Sequence, residues 1–260
     1  MLKRRIIPKL LLKDGRNVKG VKFEKLRDTG SPVTNARIYD AQGADELVFL
    51  DIRGVHSPRP SDEKRGLLFD IIAKTAEEVF MPFCVGGGVK SLDDVRECLK
   101  AGADKVSVNT AAVESPELIT RGAERFGVQC MVVSIDYRVH ADGRAEVFTH
   151  GGTVATGLDP VEHAVKMAEI GAGELLVTSI DRDGTMEGYD LETLKRIVDR
   201  VKVPVIAAGG PGSLQHLVDA VKVADVSAVA VGSLFHFTDQ SPIKARTFMK
   251  VAGIDVRAKE

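Results

Sequence analysis

Eight short apolar runs, rich in β-branched residues, alternate with eight helical patterns along the whole chain. The runs fall at residues 5–11, 46–51, 82–86, 105–108, 131–136, 174–180, 203–207 and 227–231. Each is nearly continuous in hydrophobics, as expected of parallel strands covered by helices on their outer face. Helical patterns lie near 32–43, 67–79, 91–101, 115–126, 159–170, 190–201, 213–223 and 241–250. Ser91-Leu92-Asp93-Asp94 carries an N-terminal capping signal. Ser115-Pro116-Glu117 and Asp159-Pro160 place Pro at the first helical position. Strict eightfold alternation predicts a (β/α)8 TIM barrel; an open doubly wound sheet would leave units unused. The 260 residues suit one such domain, and no linker or low-complexity segment divides them.

The chain also repeats itself. Val85-Gly86-Gly87-Gly88 recurs as Ala207-Ala208-Gly209-Gly210, residues 104–109 are echoed by 226–233, and Leu47-Val48-Phe49-Leu50-Asp51 recurs loosely from Leu176 onward. The offsets are close to half the chain, which predicts an internal two-fold repeat of half-barrels, about 1–125 and 126–260. The repeat pairs Ile6-Ile7-Pro8-Lys9-Leu10-Leu11 with Met131-Val132-Val133-Ser134-Ile135-Asp136. Asp136 and Leu11 are then equivalent, both at the C-terminal end of a strand, where barrels place their chemistry. A carboxylate there is a candidate acid or base, whereas a leucine cannot move a proton.

Gly86-Gly87-Gly88 and Gly209-Gly210-Pro211-Gly212 each end a strand and precede a helix. Backbone N–H groups in such turns can hold a phosphate, and Asn109-Thr110 and Gly232-Ser233 add donors at the next strand in each half. Two matched sites imply a substrate phosphorylated at both ends. The plain alternative is that the glycines only make tight turns. Residues 178–185 form a polar strand end that turns through Asp183-Gly184. Asp183 could orient substrate and Gly184 could offer N–H to a phosphate, unless the acids merely cap their own turn. Arg5, Glu46, Lys105 and Glu174 each begin a strand, so all four fall at the N-terminal mouth of the barrel. Taken alone they read first as solvated strand ends, although two bases and two acids could close into a salt-bridged ring.

Several functions find no support. The formal net charge is -1, so no global field favours nucleic acid or a membrane surface. No apolar run spans a bilayer and no signal peptide is read, which points to the cytoplasm. Cys84, Cys98 and Cys130 have no metal-like or CxxC spacing and read as small hydrophobes in a reducing compartment. The six histidines, His56, His140, His150, His163, His216 and His236, make no metal motif and are assigned surface or packing roles. No metal or cofactor is expected.

Arg5-Ile6-Ile7-Pro8, Lys13-Asp14-Gly15-Arg16, Asp45-Glu46-Leu47-Val48-Phe49-Leu50-Asp51, Val85-Gly86-Gly87-Gly88, Asn109-Thr110-Ala111-Ala112 and the stretch 176–185 resemble the cyclase subunit of imidazole glycerol phosphate synthase over essentially the whole chain. In that family a glutaminase docks at the bottom of the barrel as the second member of a heterodimer, and ammonia passes up the axis to a bisphosphate substrate. The resemblance makes Arg5, Glu46, Lys105 and Glu174 the ammonia gate and Asp104 a partner-facing acid. It makes Gly88, Asn109 and Thr110 one phosphate site and Asp183, Gly184, Gly210, Gly232 and Ser233 the other. Asp136 matches one catalytic aspartate, and Lys19 matches a lysine on the mobile loop after the first strand. The family reads Cys-Leu-Asp-Val where this chain has Lys9-Leu10-Leu11-Leu12, so the second catalytic aspartate is absent. The loop after Asp51, residues 52–59, also departs from the small polar start that the family has there.

Pro8-Lys9-Leu10-Leu11-Leu12-Lys13, Met81-Pro82-Phe83-Cys84, Phe148-Thr149-His150-Gly151-Gly152 and Ala155-Thr156-Gly157-Leu158-Asp159-Pro160 look like the glycosyl-amidation-associated branch of these barrels. That branch implies ammonia supply to a separate sugar amidotransferase, for a surface-polysaccharide sugar. Two alternatives stay open: a functional cyclase of histidine biosynthesis, and a non-catalytic phosphosugar-binding barrel. The related isomerase with the same half-barrel pattern fits less well, because it also needs an acid at position 11.

Overall fold

The computed structural model describes residues 3–52 and 62–257. His56 and most of the divergent stretch 52–59 lie outside the described residues. Twelve strands form one sheet: β1 (Arg5–Lys13), β2 (Arg16–Val21), β3 (Glu24–Gly30), β4 (Leu47–Asp51), β5 (Phe83–Gly86), β6 (Lys105–Val108), β7 (Met131–Val139), β8 (Ala145–Thr149), β9 (Val154–Ala155), β10 (Glu174–Ser179), β11 (Val205–Ala208) and β12 (Ala228–Val231). Eight of them pair in parallel in the order β10-β11-β12-β1-β4-β5-β6-β7, and β7 pairs back to β10. The sheet therefore closes into the eight-stranded (β/α)8 barrel that the alternation predicts.

Helices α1 (Pro32–Ala41), α2 (Asp62–Glu78), α3 (Leu92–Lys100), α5 (Glu117–Phe126), α6 (Pro160–Glu169), α7 (Leu191–Val198), α8 (Leu214–Ala224) and α10 (Pro242–Val251) follow the barrel strands. The side chains of Ser31, Ser91, Asp159, Asp190, Ser213 and Ser241 accept from N–H groups of the first helical turn and fix where six of these helices start. Pro116 departs from its expected place: it is the residue before α5, and Leu118 N donates to Ser115 O. Ser115 instead ends a short helix, α4 (Thr110–Glu114). A second short helix, α9 (Ser233–Phe237), stands at the matching place in the other half.

The strands are buried on both sides. Outward residues such as Ile6, Leu10, Phe49 and Val133 pack under the helices. Inward residues Ile7, Val48, Cys84, Val132, Leu176, Ile206, Ala208, Ala228 and Ala230 fill the barrel. Val48 pairs with Lys9, and Leu176 pairs with Ser134. Val48 and Leu176 are thus equivalent, and so are Glu46 and Glu174. The looser sequence match of Leu47 to Leu176 is one residue out, a slip that would turn an outward side chain inward.

Two hairpins were not expected from the apolar pattern. After β1 the chain turns at Asp14-Gly15 into β2 and β3; after β7 it turns near Asp142-Gly143 into β8 and β9. The segment carrying Lys19, expected as a mobile loop, is an antiparallel hairpin with Lys19 in β2. Among the described residues no helix is long and apolar enough to cross a membrane.

Candidate functional site

At the N-terminal mouth of the barrel the four charged strand starts form a closed ring. Arg5 Nη1 lies 2.6 Å from Glu46 Oε2, and Arg5 Nη2 lies 2.9 Å from Glu174 Oε1. Lys105 Nζ lies 3.0 Å from Glu46 Oε2 and 2.8 Å from Glu174 Oε2. Each base touches both acids. Burial opposes the charge on Arg5 and Lys105, but the two carboxylates outweigh it and hold both pKa values above the ordinary ones. Glu46 is the most buried member: burial raises its pKa, with Lys105 and Arg5 opposing. Asp104 sits on the same face, exposed, with Oδ2 accepting from Phe83 N at 2.9 Å. That bond anchors the start of β5.

At the opposite, C-terminal face, Asp183, Gly184, Gly210, Gly232 and Ser233 line one pocket, together with Lys9, Leu11 and Lys19. Two of its glycines are required by the backbone. Gly184 has φ +78, and a Cβ there would stand 2.3 Å from Gly20 O. Gly210 has φ +124, and a Cβ would stand 2.1 Å from Gly188 O. The pocket is nearly filled by Lys19, whose Nζ lies 2.5 Å from Asp183 Oδ2, with both side chains buried. A Cβ on Gly232 would stand 3.0 Å from Lys19 Cε. The first hairpin is pinned over this pocket by Lys22 N, which donates to Asp183 O at 2.7 Å. About 10 Å³ remains free, roughly the room one water needs.

The other half of this face carries Gly88, Asn109, Thr110 and Asp136. Gly88 has φ +69, and open space surrounds the place of a Cβ. Asn109 Nδ2 donates to Asp136 Oδ2 at 3.2 Å and to Ser134 O at 3.1 Å. Thr110 Oγ1 accepts from His150 N at 3.1 Å, so the second hairpin leans on this loop as the first leans on Asp183. Burial raises the pKa of the Asp136 carboxyl, against the pull of Lys9. A carboxyl held above its ordinary range is better placed to exchange a proton near neutral pH.

Leu11 lines the pocket where the repeat would place the partner of Asp136. The residue that sequence reasoning missed is Lys9, two positions earlier on the same inward face of β1. It is 6% exposed, and its Nζ reaches across the barrel to Thr178 Oγ1 on β10 at 3.3 Å. A lysine inside an otherwise apolar strand was the available signal. The described histidines take packing or local hydrogen-bonding positions: His163 is buried, His216 Nδ1 accepts from Gly212 N, and His236 meets Tyr39 Oη.

A closed eight-stranded barrel with two-fold repeated halves and a polar pocket between glycine turns at its C-terminal face defines the class: a half-barrel-repeat (β/α)8 protein with its site where such barrels carry their chemistry. The family model described as "Histidine biosynthesis protein" matches residues 5–241. The chain belongs to that family.

Proposed function

We propose that this chain is a cyclase-type barrel subunit that pairs with a glutaminase and conducts ammonia, for amidation of a surface-polysaccharide sugar rather than closure of an imidazole ring. The observation that carries the reading is a contrast between the two mouths of the barrel. The charged ring of Arg5, Glu46, Lys105 and Glu174 is complete, whereas the acid pair at the other end is reduced to Asp136 facing Leu11. In this reading the glutaminase covers the ring and the exposed Asp104. Ammonia crosses the layer of Ile7, Val48, Cys84 and Ala228, and leaves toward a separate sugar amidotransferase in the cytoplasm. Gly88, Asn109 and Thr110 on one side, and Asp183, Gly184, Gly210, Gly232 and Ser233 on the other, hold phosphates of a ligand or product. Lys19 closes the second of these sites.

The second reading is a working cyclase of histidine biosynthesis. It is favoured by Asp136, whose carboxyl is held above its ordinary range by desolvation, and by the preserved glycine turns in both halves. Loss of one positioned proton-transfer group costs roughly 10²–10⁴-fold in rate. The test is ammonia-dependent turnover of the histidine-pathway bisphosphate by the wild type and by Leu11→Asp. Turnover by the wild type at an ordinary cyclase rate overturns the amidation reading. No turnover by the wild type, together with faster glutamine hydrolysis by a partner glutaminase when the barrel is added, is the expected result. A gain of roughly 10²-fold or more in Leu11→Asp would place the block at position 11 alone.

A further inference from the structure

The amine of Lys9 has no role in the charged ring or in the glycine turns. A lysine ammonium has three donors, yet Lys9 makes a single long bond, to the neutral Thr178 hydroxyl, and forms no ion pair among the described residues. The nearby buried lysine, Lys19, has Asp183 at 2.5 Å. Lys9, inside β1, lines the pocket together with Gly209, Gly210 and Gly232. We propose that Lys9 is a carbonyl-reactive amine that forms an imine with a phosphorylated aldose or ketose whose phosphate sits at these glycine turns.

The charged groups around it act in a consistent direction. Burial is the largest influence and pulls Lys9 below the ordinary lysine value of 10.5. Asp183 and Asp136 oppose this, and the neighbouring cation Lys19 adds to it. A desolvated lysine beside a second cation is how an amine is kept neutral and nucleophilic. The chemistry balances with groups already present. The Lys9 nitrogen adds to the carbonyl carbon, and its lost proton moves to the carbonyl oxygen. That hydroxyl then takes a proton through the Asp136 carboxyl, which acts as the acid–base group, and leaves as water, so that an iminium on Lys9 remains. The pocket has room for about one water, so the sugar phosphate enters as the Lys19 side chain swings out.

The whole chain is incubated with ribulose 5-phosphate and sodium cyanoborohydride, which converts an iminium to a stable secondary amine; intact mass and peptide mapping follow. The expected result is one adduct per chain, at Lys9, slowed by excess inorganic phosphate and absent in Lys9→Met. Its rate should rise with pH through a midpoint below the ordinary lysine value of 10.5. Adducts confined to exposed lysines, or formed equally in Lys9→Met, overturn the proposal, and so does the absence of any adduct. Should Lys9→Met fail to fold, site mapping and phosphate competition on the wild type still decide. Neither glutaminase nor ammonia takes part, so this result and the ammonia-delivery reading stand or fall separately.

Discussion

The two half-barrels keep the same backbone even where their sequences differ. Asn109, before α4, has φ -114 and ψ -84, and Gly232, before α9, has φ -111 and ψ -86. Both short helices span five residues, although the hairpins lean on non-equivalent loops, the first on Asp183 after β10 and the second on Thr110 after β6. The inward side chains diverge instead. Lys9 faces Ser134 across the pseudo-twofold, Leu11 faces Asp136, and Lys19 in β2 corresponds to Thr149 in β8. A barrel can thus preserve the frame of two matched sites while changing the chemistry between them. One half presents a carboxylate and hydroxyls; the other presents two amines and a leucine.

Breaking the Lys19–Asp183 pair is the most severe way to test this asymmetry. Removing one partner of a buried ion pair costs about 3–5 kcal/mol, because the other charge is left uncompensated. In Lys19→Met, hydrogen exchange should accelerate over Arg16–Gly30 and stay unchanged over Ala145–Thr149. Equal acceleration in both hairpins would mean that they are held by the barrel as a whole. The ring offers the next test. Its acids, Glu46 and Glu174, are symmetry mates, but both bases come from the first half. Lys105→Met leaves Arg5 shared between two carboxylates, so a loss near the lower end of the same range, about 3 kcal/mol, is expected in chemical denaturation. A neutral outcome would show that Arg5 alone satisfies both acids.

Acid should separate the halves as well. Helices α1 and α6 begin alike, at Ser31-Pro32 and Asp159-Pro160, and their fourth helical positions are Asn35 and His163. Burial lowers His163 from 6.5 to about 4, with Lys166 adding to the effect. The unfolded chain therefore binds the extra proton first as pH falls. Stability from this site is complete above pH 6.5, declines below it, and is lost by about pH 4. At pH 5 the loss is about 2 kcal/mol. Asn35 has no such proton, so His163→Asn should flatten this part of the stability curve. An unchanged curve would assign the acid sensitivity to other groups.

Much of the frame was legible. Apolar runs alternating with helical patterns gave away the closed barrel because both strand faces are buried, and that leaves an almost unbroken hydrophobic signature. Leu11 opposite Asp136 followed from the repeat alone. The hairpins escaped because β2 and β3 are largely polar, with Glu24, Lys25, Arg27 and Asp28 exposed to solvent. Their signal was local instead: Asp14-Gly15 and Asp142-Gly143 are dipeptides that favour tight strand-to-strand turns. Lys9 escaped for the opposite reason. A lone lysine in an apolar run looks like an interruption, and only the closed barrel shows its amine crossing from β1 to β10.

The smallest effect concerns how the two hairpins meet. The tip of the first is Lys22-Phe23, between the paired Val21 and Glu24, with φ +52 and +68. Positive φ at both central residues suits Asn-Gly far better than a lysine and a phenylalanine. This turn is nevertheless held, because Lys22 N donates to Asp183 O and the Phe23 ring lies 3.1 Å from where a Cβ on Gly152 would stand, against the second hairpin. Lys22→Asn keeps both the backbone bond and the aromatic contact while easing the left-handed conformation. It should stabilise by less than about 1 kcal/mol. Phe23→Gly eases the backbone more but deletes the ring that bridges the hairpins, so its net effect should be destabilising. If thermal unfolding shows Phe23→Gly stabilising as much as Lys22→Asn, the hairpins do not support each other, and the cover over the top face consists of two independent flaps.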